Sequence, residues 1–365
     1  MKLASQTPDY IRAITPYQPG KPISELAREL GLSEAGIVKL ASNENPLGMS
    51  IHARDAAIAA LSEGCRYPDG GAYALKAALS RKFGLRPEQL VIGNGSNDVL
   101  EIAAQTFLAP GRSALYSQFG FAVYPLATQA RGARGIEVPA RDYGHDLDAM
   151  LAAIAPDTRI VFIANPNNPT GTFLPGAALE AFIARVPAEV LVVLDEAYTE
   201  YLDASQSYDA IAWLARYPNL LVSRTLSKAY GLAGLRVGYA IAHPDVADLM
   251  NRVRQPFNVS SVALAAAEAA LHDTEFLARS AALNRRGMTR LTEAFAALGL
   301  EWIESAGNFV AVRVGAADAV NRALLAQGVI VRPIAGYGMP EWLRVSVGLP
   351  EENERFIVAL KRALA

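Results

Sequence analysis

Short apolar runs alternate with helix-length segments along the middle of the chain. Helical periodicity over Ala72–Phe83 is followed by a predicted strand at Gln89–Ile92 and by a further helix that ends at Phe107. Six more strands are predicted, at Ala114–Tyr116, Gly135–Val138, Ile160–Ala164, Val190–Leu194, Leu220–Ser223 and Val237–Ile241. Because these strands are largely apolar and most are separated by a helix-length segment, we expect an α/β fold with a buried, mostly parallel sheet between helices.

The pattern differs towards both ends of the chain. In the N-terminal arm, Ser24 is predicted to cap a short helix, Glu25–Leu30, which Gly31 ends, and Lys39–Gly48 has the composition of a loop. After residue 256 the predicted order is two long helices, a strand, a helix, two strands and a helix, at Ser260–His272, Glu275–Leu298, Phe309–Val314, Ala316–Gln327, Val329–Arg332, Leu343–Val347 and Glu351–Leu364. This order predicts a second, smaller α+β unit.

The composition narrows the possible classes of function. The 365 residues include 34 basic and 36 acidic side chains, and the resulting net charge of −2 provides no electrostatic surface for nucleic acid. A single cysteine, Cys65, excludes an internal disulfide and a cysteine-based zinc site, and the four histidines are not at metal-ligand spacing. The longest apolar runs have five or six residues, whereas a membrane span needs about 20. We therefore expect a soluble, cytoplasmic protein without a bound metal.

Two predicted strands lead into residues with reactive side chains. The motif Leu194–Tyr198 puts the carboxylate of Asp195 at the carboxyl edge of the sheet, where open α/β folds bind ligands, with a cap of the next helix as the alternative. Lys228 follows the next predicted strand. The same segment contains two hydroxyls and an arginine, at Thr225, Ser227 and Arg236. A lysine at a sheet edge is usually a solvated charge, but lysine is also the side chain that condenses with aldehydes, among them pyridoxal phosphate.

Two loops at the same edge add polar groups. Asn165–Gly171 contains two Asn-Pro steps and has amides for a ring hydroxyl, with ordinary turn chemistry as the alternative. Gly93–Asp98 opens a helix whose first N–H groups are suited to a phosphate, with a plain helix-opening turn as the alternative. Because Asp98 replaces the third glycine of a dinucleotide motif, a small phosphate monoester fits this loop better than a nicotinamide dinucleotide.

Together these segments predict a lysine for a Schiff base, an acid for a pyridine nitrogen, hydrogen-bonding groups for a ring hydroxyl and a cup for a phosphate. With this set, the chain resembles the fold-type I pyridoxal-phosphate aminotransferases of class II, and within them the histidinol-phosphate aminotransferases. The resemblance extends over nearly the whole chain, from Pro16–Pro22 and Lys39–Gly48 to Leu343–Gly348.

The resemblance implies a domain organisation. A large domain at 46–258 would bind the cofactor and contain a mostly parallel seven-stranded sheet between helices. A smaller α+β domain would occupy 259–365, and an N-terminal arm, 1–45, would join it.

The resemblance also assigns the cofactor contacts position by position. It implies that pyridoxal 5'-phosphate condenses with Lys228, whose amine later moves a substrate proton, and that Asp195 keeps the ring nitrogen protonated. Further cofactor contacts are implied at Ser96, Asn97, Phe119, Asn168, Tyr198, Thr225, Ser227 and Arg236. Lys228, Asp195 and Tyr198 are the expected catalytic residues. Phe119 is expected to stack on the ring, at a position where many relatives have tyrosine.

Substrate and partner contacts are implied as well. Arg344 is expected to hold the anionic end of the substrate, and Tyr17, Asn43 and Arg332 are further candidates on the substrate side. Tyr67 matches a tyrosine that reaches the cofactor phosphate of the neighbouring subunit, although an ordinary aromatic in a turn is an equal interpretation. The match implies a homodimer with shared active sites.

The implied activity is ping-pong transamination between histidinol phosphate and 2-oxoglutarate, in histidine biosynthesis. The connection Arg332–Pro340 is longer and more apolar than the resemblance to histidinol-phosphate aminotransferases leads us to expect. Transamination of aromatic amino acids therefore stays an alternative. Decarboxylation of a phosphorylated amino acid, as in threonine-phosphate decarboxylases, is another. A ligand sensor within a transcription regulator is disfavoured, because the residues before Asn43–Gly48 are few and proline-rich and the chain is not basic. A nicotinamide dehydrogenase is also disfavoured, because Asp98 replaces the third glycine of the dinucleotide-binding motif.

Overall fold

The structure, a computed structural model, describes residues 3–16 and 20–365. Its strands are β1 (Val38–Lys39), β2 (Leu90–Gly93), β3 (Ser113–Ser117), β4 (Arg134–Val138), β5 (Thr158–Ala164), β6 (Leu191–Asp195), β7 (Leu220–Thr225), β8 (Gly238–Ala242), β9 (Trp302–Ile303), β10 (Phe309–Arg313), β11 (Val329–Ile330), β12 (Arg332–Pro333) and β13 (Trp342–Ser346). Its helices are α1 (Asp9–Arg12), α2 (Ile23–Leu30), α3 (Ile51–Ala60), α4 (Tyr73–Phe83), α5 (Ser96–Phe107), α6 (Val123–Ala130), α7 (Leu147–Ala152), α8 (Gly176–Ile183), α9 (Ala210–Trp213), α10 (Pro244–Val253), α11 (Ser261–His272), α12 (Thr274–Ala297), α13 (Ala317–Ala326) and α14 (Pro350–Leu364).

Seven strands form a central sheet in the order β2-β8-β7-β6-β5-β3-β4. Neighbouring strands are parallel except at β8, which runs antiparallel to both β2 and β7. The prediction of a mostly parallel, seven-stranded sheet is therefore confirmed. In the register of β5, β6 and β7, Ala164 lies beside Asp195 and Asp195 beside Ser223. The carboxyl ends of these three strands thus meet at one edge.

The two faces of the central sheet carry separate apolar clusters, because successive side chains of a strand point to opposite faces. On β5, Val161 and Ile163 belong to one cluster, which α3, α4 and α11 cover. Ile160 and Phe162 belong to the other, which α5, α6 and α10 cover. Burial on both faces explains why these strands are apolar throughout, without the polar alternation of a half-exposed sheet.

A second sheet follows in the C-terminal part, in the order β12-β13-β10-β9 with antiparallel neighbours. Helices α12, α13 and α14 pack on it, through Phe295, Leu324 and Phe356 among others. From the N-terminal arm, β1 pairs in parallel with β11. The domain boundaries at 45/46 and 258/259 stay predictions; α11, which follows the second of them, packs in a cluster of the central sheet.

Two local predictions were wrong, and one helix was missed. Helix α2 begins at Ile23, with Pro22 rather than Ser24 at its N-cap, because the φ of −66° at Pro22 already suits entry into a helix. The single strand expected over Val329–Arg332 is two strands, β11 and β12, which belong to different sheets. Helix α3 was not predicted, since its apolar positions are mostly alanines without a clear periodic face. Gly31 does end α2, with φ at +65°.

Candidate active site

A cavity of about 310 Å³ opens at the carboxyl ends of β5, β6 and β7. The residues that end these strands, Ala164, Asp195 and Thr225, form part of its wall. The structure brings most of the residues predicted from the sequence to this wall, namely Asn43, Ser96, Asn97, Asn168, Asp195, Tyr198, Thr225, Ser227, Lys228, Arg236, Arg332 and Arg344. They come from the N-terminal arm, the central sheet and the second sheet, so all three parts of the fold contribute to one cavity.

Asp195 provides a buried carboxylate at the end of β6. Its Oδ2 accepts a hydrogen bond from the Tyr124 hydroxyl at 3.0 Å, and its Oδ1 has no hydrogen-bond partner among the described residues. Burial raises the pKa of Asp195 to about 6, against the opposing effect of the Tyr124 hydrogen bond. A buried carboxylate oxygen without a partner, on the wall of a cavity, is suited to a cationic N–H donor.

Lys228 provides an amine on the same wall. Its Nζ donates a hydrogen bond to the Ser42 carbonyl oxygen at 3.1 Å and lies 5.9 Å from the centre of the Tyr198 ring. Burial, and next the charge of Arg344, lower the pKa of Lys228 to about 8. A larger share of this lysine is therefore neutral near pH 7 than of an ordinary lysine, and the neutral amine is the nucleophile.

A group of hydrogen-bond donors suited to an anion lies at the start of α5. Ser96 and Asn97 occupy its first turn, and the Arg236 guanidinium beside them donates to the Ser227 hydroxyl oxygen at 3.4 Å. Gly95 has a φ of +83°, and a Cβ at this position would collide with the guanidinium. Glycine is thus required for Arg236 to approach the helix N-terminus. Backbone N–H groups, hydroxyls and a guanidinium together match the acceptor oxygens of a phosphate monoester.

Two arginines from the second sheet lie on the cavity wall. Arg344 on β13 donates to Asn168 Oδ1 at 2.5 Å and to the Ala41 carbonyl oxygen at 2.7 Å. Arg332 lies directly opposite Arg344 in the pairing of β12 with β13. Two guanidinium groups on one wall form a second site for an anion, either a carboxylate or a phosphate.

A buried polar network connects the N-terminal arm to this wall. The side-chain amide of Asn43 donates to the Tyr198 hydroxyl at 2.9 Å, and its backbone N–H donates to Ser346 Oγ at 2.8 Å. Asn308 donates in turn to the Asn43 carbonyl oxygen at 3.0 Å. Because the Tyr198 hydroxyl accepts from Asn43, its own proton stays available for an acceptor in the cavity.

Not every predicted residue lies on the cavity wall. The Phe119 ring packs beside Tyr143, with ring centres 5.9 Å apart, and Phe121 is the phenylalanine that lines the cavity. The Phe119 ring also packs against the apolar cluster beneath the second sheet, and its expected stacking on a cofactor ring stays a prediction. Tyr67 is 84% exposed on the surface of its own subunit. Tyr17 lies outside the described residues.

Sequence reasoning missed two groups that contact the central residues. Tyr124 binds Asp195, but in the sequence it resembles any core aromatic of an amphipathic helix. Ser42 contacts Lys228 through a backbone carbonyl, which no side-chain pattern can indicate. Within the part of the chain that the structure describes, no group of histidine, cysteine, aspartate and glutamate could hold a metal ion. None of the described helices combines the length and the apolar character that a membrane span requires.

Comparison with known proteins gives consistent matches over the whole chain. The family model described as aminotransferase class I and II matches residues 35–360. Histidinol-phosphate aminotransferase 1 of Cupriavidus pinatubonensis is 68% identical, over 98% of this chain and 96% of the relative. Histidinol-phosphate aminotransferase 2 of Ralstonia nicotianae is 65% identical, over 98% and 97%. The crystal structure of histidinol-phosphate aminotransferase from Sinorhizobium meliloti in complex with pyridoxal-5'-phosphate superposes with a TM-score of 0.90 at 30% identity, over 99% of this chain and 98% of that one.

Proposed function

The chain belongs to the class I and II aminotransferases, and on this basis we propose that it transfers an amino group between histidinol phosphate and 2-oxoglutarate, with pyridoxal 5'-phosphate as cofactor. The products are imidazole acetol phosphate and glutamate, and the reaction belongs to histidine biosynthesis. One observation carries the proposal. Lys228 and Asp195 line a single cavity that has the Arg236 anion site on its wall and, from the second sheet, the guanidinium groups of Arg332 and Arg344.

The residues of the cavity fit this cofactor. Asp195 Oδ1, buried and without a partner among the described residues, suits a protonated ring nitrogen, and the anion site at Arg236 suits the phosphate. When bound, pyridoxal phosphate supplies an aldehyde that condenses with amines and a ring that takes up electrons from the substrate α-carbon. Lys228 provides the amine for that aldehyde, since its lowered pKa favours the neutral form.

The side chains around the cofactor then have separate tasks. Asp195 holds the proton on the ring nitrogen, because an anion beside it favours the cationic ring. Tyr198 and Asn168 hydrogen-bond the ring oxygen of the cofactor. Because Asn168 Oδ1 already accepts from Arg344, Asn168 donates to the ring oxygen through its side-chain N–H groups. Nζ of Lys228, once free, takes the proton from the substrate α-carbon and holds it until it is returned.

The two anion sites bind different groups: the site at Arg236 binds the cofactor phosphate, and the site at Arg344 binds the substrate. Ser96, Asn97, Thr225, Ser227 and Arg236 bind the cofactor phosphate. Arg344 binds the carboxylate of glutamate in one half-reaction and the phosphate of histidinol phosphate in the other, because a guanidinium pairs with both anions in a forked geometry. Arg332 and Asn43 complete this end of the cavity, and Tyr17 is a further candidate there.

A homodimer with shared active sites is part of the proposal. Large apolar side chains are exposed at Ile51, Ile58, Leu61, Tyr67, Tyr73 and Phe257. Ile51 and Ile58 are seven positions apart on α3 and so share one face of the helix. Tyr67 stacks on Phe257, with ring centres 4.8 Å apart, and faces solvent. A second copy of the chain that covers this surface would bring Tyr67 to its partner's cofactor phosphate. We place the enzyme in the cytoplasm.

Single-turnover spectroscopy of the cofactor-loaded protein tests the proposed reaction. The protein is mixed separately with glutamate, histidinol phosphate and phenylalanine, and conversion of the bound cofactor to its amine form is followed by absorbance. Fast conversion by glutamate and histidinol phosphate and slow conversion by phenylalanine are expected. Comparable or faster conversion by phenylalanine would make the protein an aromatic aminotransferase, and release of carbon dioxide without a requirement for glutamate would make it a decarboxylase.

A further inference from the structure

Tyr124 is a fully buried tyrosine of α6, and its hydroxyl donates a hydrogen bond to Asp195. We infer that Tyr124 is a positioning residue, which fixes the rotation of Asp195 and stabilises its carboxylate, so that Oδ1 meets the cofactor ring as an anion. This role rests on the proposed function, because Oδ1 needs a protonated ring nitrogen as its partner.

The ring of Tyr124 is held from several sides. It stacks on Phe162 of β5, with ring centres 4.7 Å apart and ring planes 5° from parallel, and meets the edge of Phe121 at 5.9 Å. At Gly120, a Cβ would lie 3.3 Å from the ring, which is tighter than ordinary van der Waals contact. The hydroxyl therefore has a fixed position 3.0 Å from Asp195 Oδ2, and the carboxylate cannot rotate without losing this bond.

The direction of the hydrogen bond follows from the acidity of the two groups. Burial holds the pKa of the Tyr124 phenol well above its usual range, and the charge of Asp195 adds to this effect. The phenol thus keeps its proton and donates it. A donor to one oxygen stabilises the ionised carboxyl group and lowers its pKa. The other oxygen, Oδ1, has no partner among the described residues, and Asp195 lies on the cavity wall.

The other charged and titratable groups that act on Asp195 come from two loops. Glu196, the next residue, raises the pKa of Asp195, although its own charge is paired with Arg224 at 2.8 Å. Lys228, after β7, lowers the pKa of Asp195. Tyr198, in the same loop as Glu196, also interacts electrostatically with Asp195. Tyr124 differs from these groups because its hydroxyl donates a hydrogen bond to the Asp195 carboxylate and so fixes the rotation of that carboxylate.

The test is the dissociation constant of pyridoxal phosphate from the full-length protein, measured against pH for the wild type and Tyr124→Phe. In the wild type, affinity falls on the acidic side as Asp195 takes up a proton. In Tyr124→Phe this fall in affinity is expected at a pH about one to two units higher. The reason is that the loss of a hydrogen bond to the charged carboxylate raises the pKa of Asp195 by about that amount. On the alkaline side, where the protonation of Lys228 governs condensation with the cofactor, the dissociation constants of the two proteins are expected to agree.

Two further variants separate this role from a general packing role. Tyr239→Phe removes the hydroxyl of another fully buried tyrosine, which lies in the cluster on the opposite face of the sheet, and should leave the acidic fall unchanged. In an Asp195→Asn background, Tyr124→Phe should cause no further loss of affinity, because the titrating carboxyl is gone. An unshifted fall in Tyr124→Phe, an equal shift in Tyr239→Phe, or a further loss in the Asp195→Asn background would overturn the inference. A wild type that does not bind the cofactor would overturn the proposed function and this role together.

Discussion

The Arg344 guanidinium donates to Asn168 Oδ1 at 2.5 Å and so connects the second sheet to the loop after β5. Both side chains are buried, and the other terminal nitrogen of Arg344 donates to the Ala41 carbonyl oxygen in the N-terminal arm. The guanidinium plane is thereby fixed between two acceptors. The arginine proposed for the substrate and the asparagine proposed for the cofactor ring thus hold each other in position.

Substitution Arg344→Lys is expected to raise the KM for both glutamate and histidinol phosphate. A lysine keeps the charge but cannot donate in two fixed directions, so the loss should correspond to about 1.5–3 kcal/mol, or roughly 10- to 150-fold in kcat/KM. Steady-state kinetics with each substrate measure it. Arg313→Lys, on the neighbouring strand β10 but exposed and paired with Glu341, is the matched control. A loss for one substrate alone would contradict the dual use of Arg344.

Substitution Lys228→Ala is expected to abolish the covalent attachment of pyridoxal phosphate and to leave the fold intact. Borohydride reduction followed by peptide mass spectrometry should find the cofactor on Lys228 in the wild type and on no lysine of the variant. Lys82→Ala removes an exposed lysine that donates to the Leu271 carbonyl oxygen, and should keep the attachment. An undiminished covalent absorbance in Lys228→Ala would contradict the assignment.

The acidity of Lys228 gives a related pH dependence. Because burial and Arg344 lower its pKa to about 8, attachment of the cofactor to the apoprotein should rise as the pH rises through about 8. Arg344→Ala removes one of the cations that lower this pKa, so the rise should move to higher pH. Stopped-flow absorbance over a pH series measures both rises. A rise that stays at the wild-type pH would show that Arg344 does not act on Lys228.

The strands and the ends of strands could be predicted from the sequence because their signals are local. Runs such as Ile160–Ala164 are apolar over their full length, and Asp195 and Lys228 follow such runs directly. What failed depends on contacts between distant segments. Nothing near Val331 indicates that the chain changes sheet there, and no local pattern shows that Tyr124, 71 positions before Asp195, donates to it. The role of Phe119 rests on the resemblance alone; its ring contacts Tyr143 here, and its stacking on the cofactor stays a prediction.

A charge on the exposed face of α3, or directly after the helix at Leu61, is expected to separate the proposed dimer. Ile58 and Leu61 are 60% and 62% exposed, and a glutamate at either position would have to be desolvated in a dimer interface. Sedimentation velocity of Ile58→Glu and Leu61→Glu should show monomers with reduced activity. Val358→Glu places the same charge on α14, at a side chain that is also exposed, and should leave the dimer unchanged. A fully active monomeric wild type would contradict the shared site.

Arg224→Met is expected to destabilise the protein strongly. Arg224 pairs with Glu196 at 2.8 Å, and the Glu196 side chain is fully buried. Without its partner, Glu196 becomes an uncompensated buried charge, for which a loss of about 3–5 kcal/mol in the free energy of unfolding is typical. Urea denaturation measures it, and the double variant with Glu196→Gln should recover part of the loss. Arg252→Met breaks an exposed pair with Asp248 and should cost no more than about 1 kcal/mol.

His145 is expected to make the folded state sensitive to acid. It is 5% exposed, its Nε2 lies 2.9 Å from the Ala164 carbonyl oxygen, and burial lowers its pKa to about 4. An unfolded histidine has a pKa of about 6.5, so between these values the unfolded state binds more protons than the folded state. The free energy of unfolding should therefore fall as the pH drops from about 6.5 to 4, by up to about 3 kcal/mol from this residue.

Urea denaturation of the wild type and His145→Gln at several pH values isolates that contribution. Glutamine does not titrate, so the variant should lose less stability than the wild type on acidification, whatever its stability at neutral pH. Equal slopes for the wild type and His145→Gln would show that His145 does not titrate differently on folding.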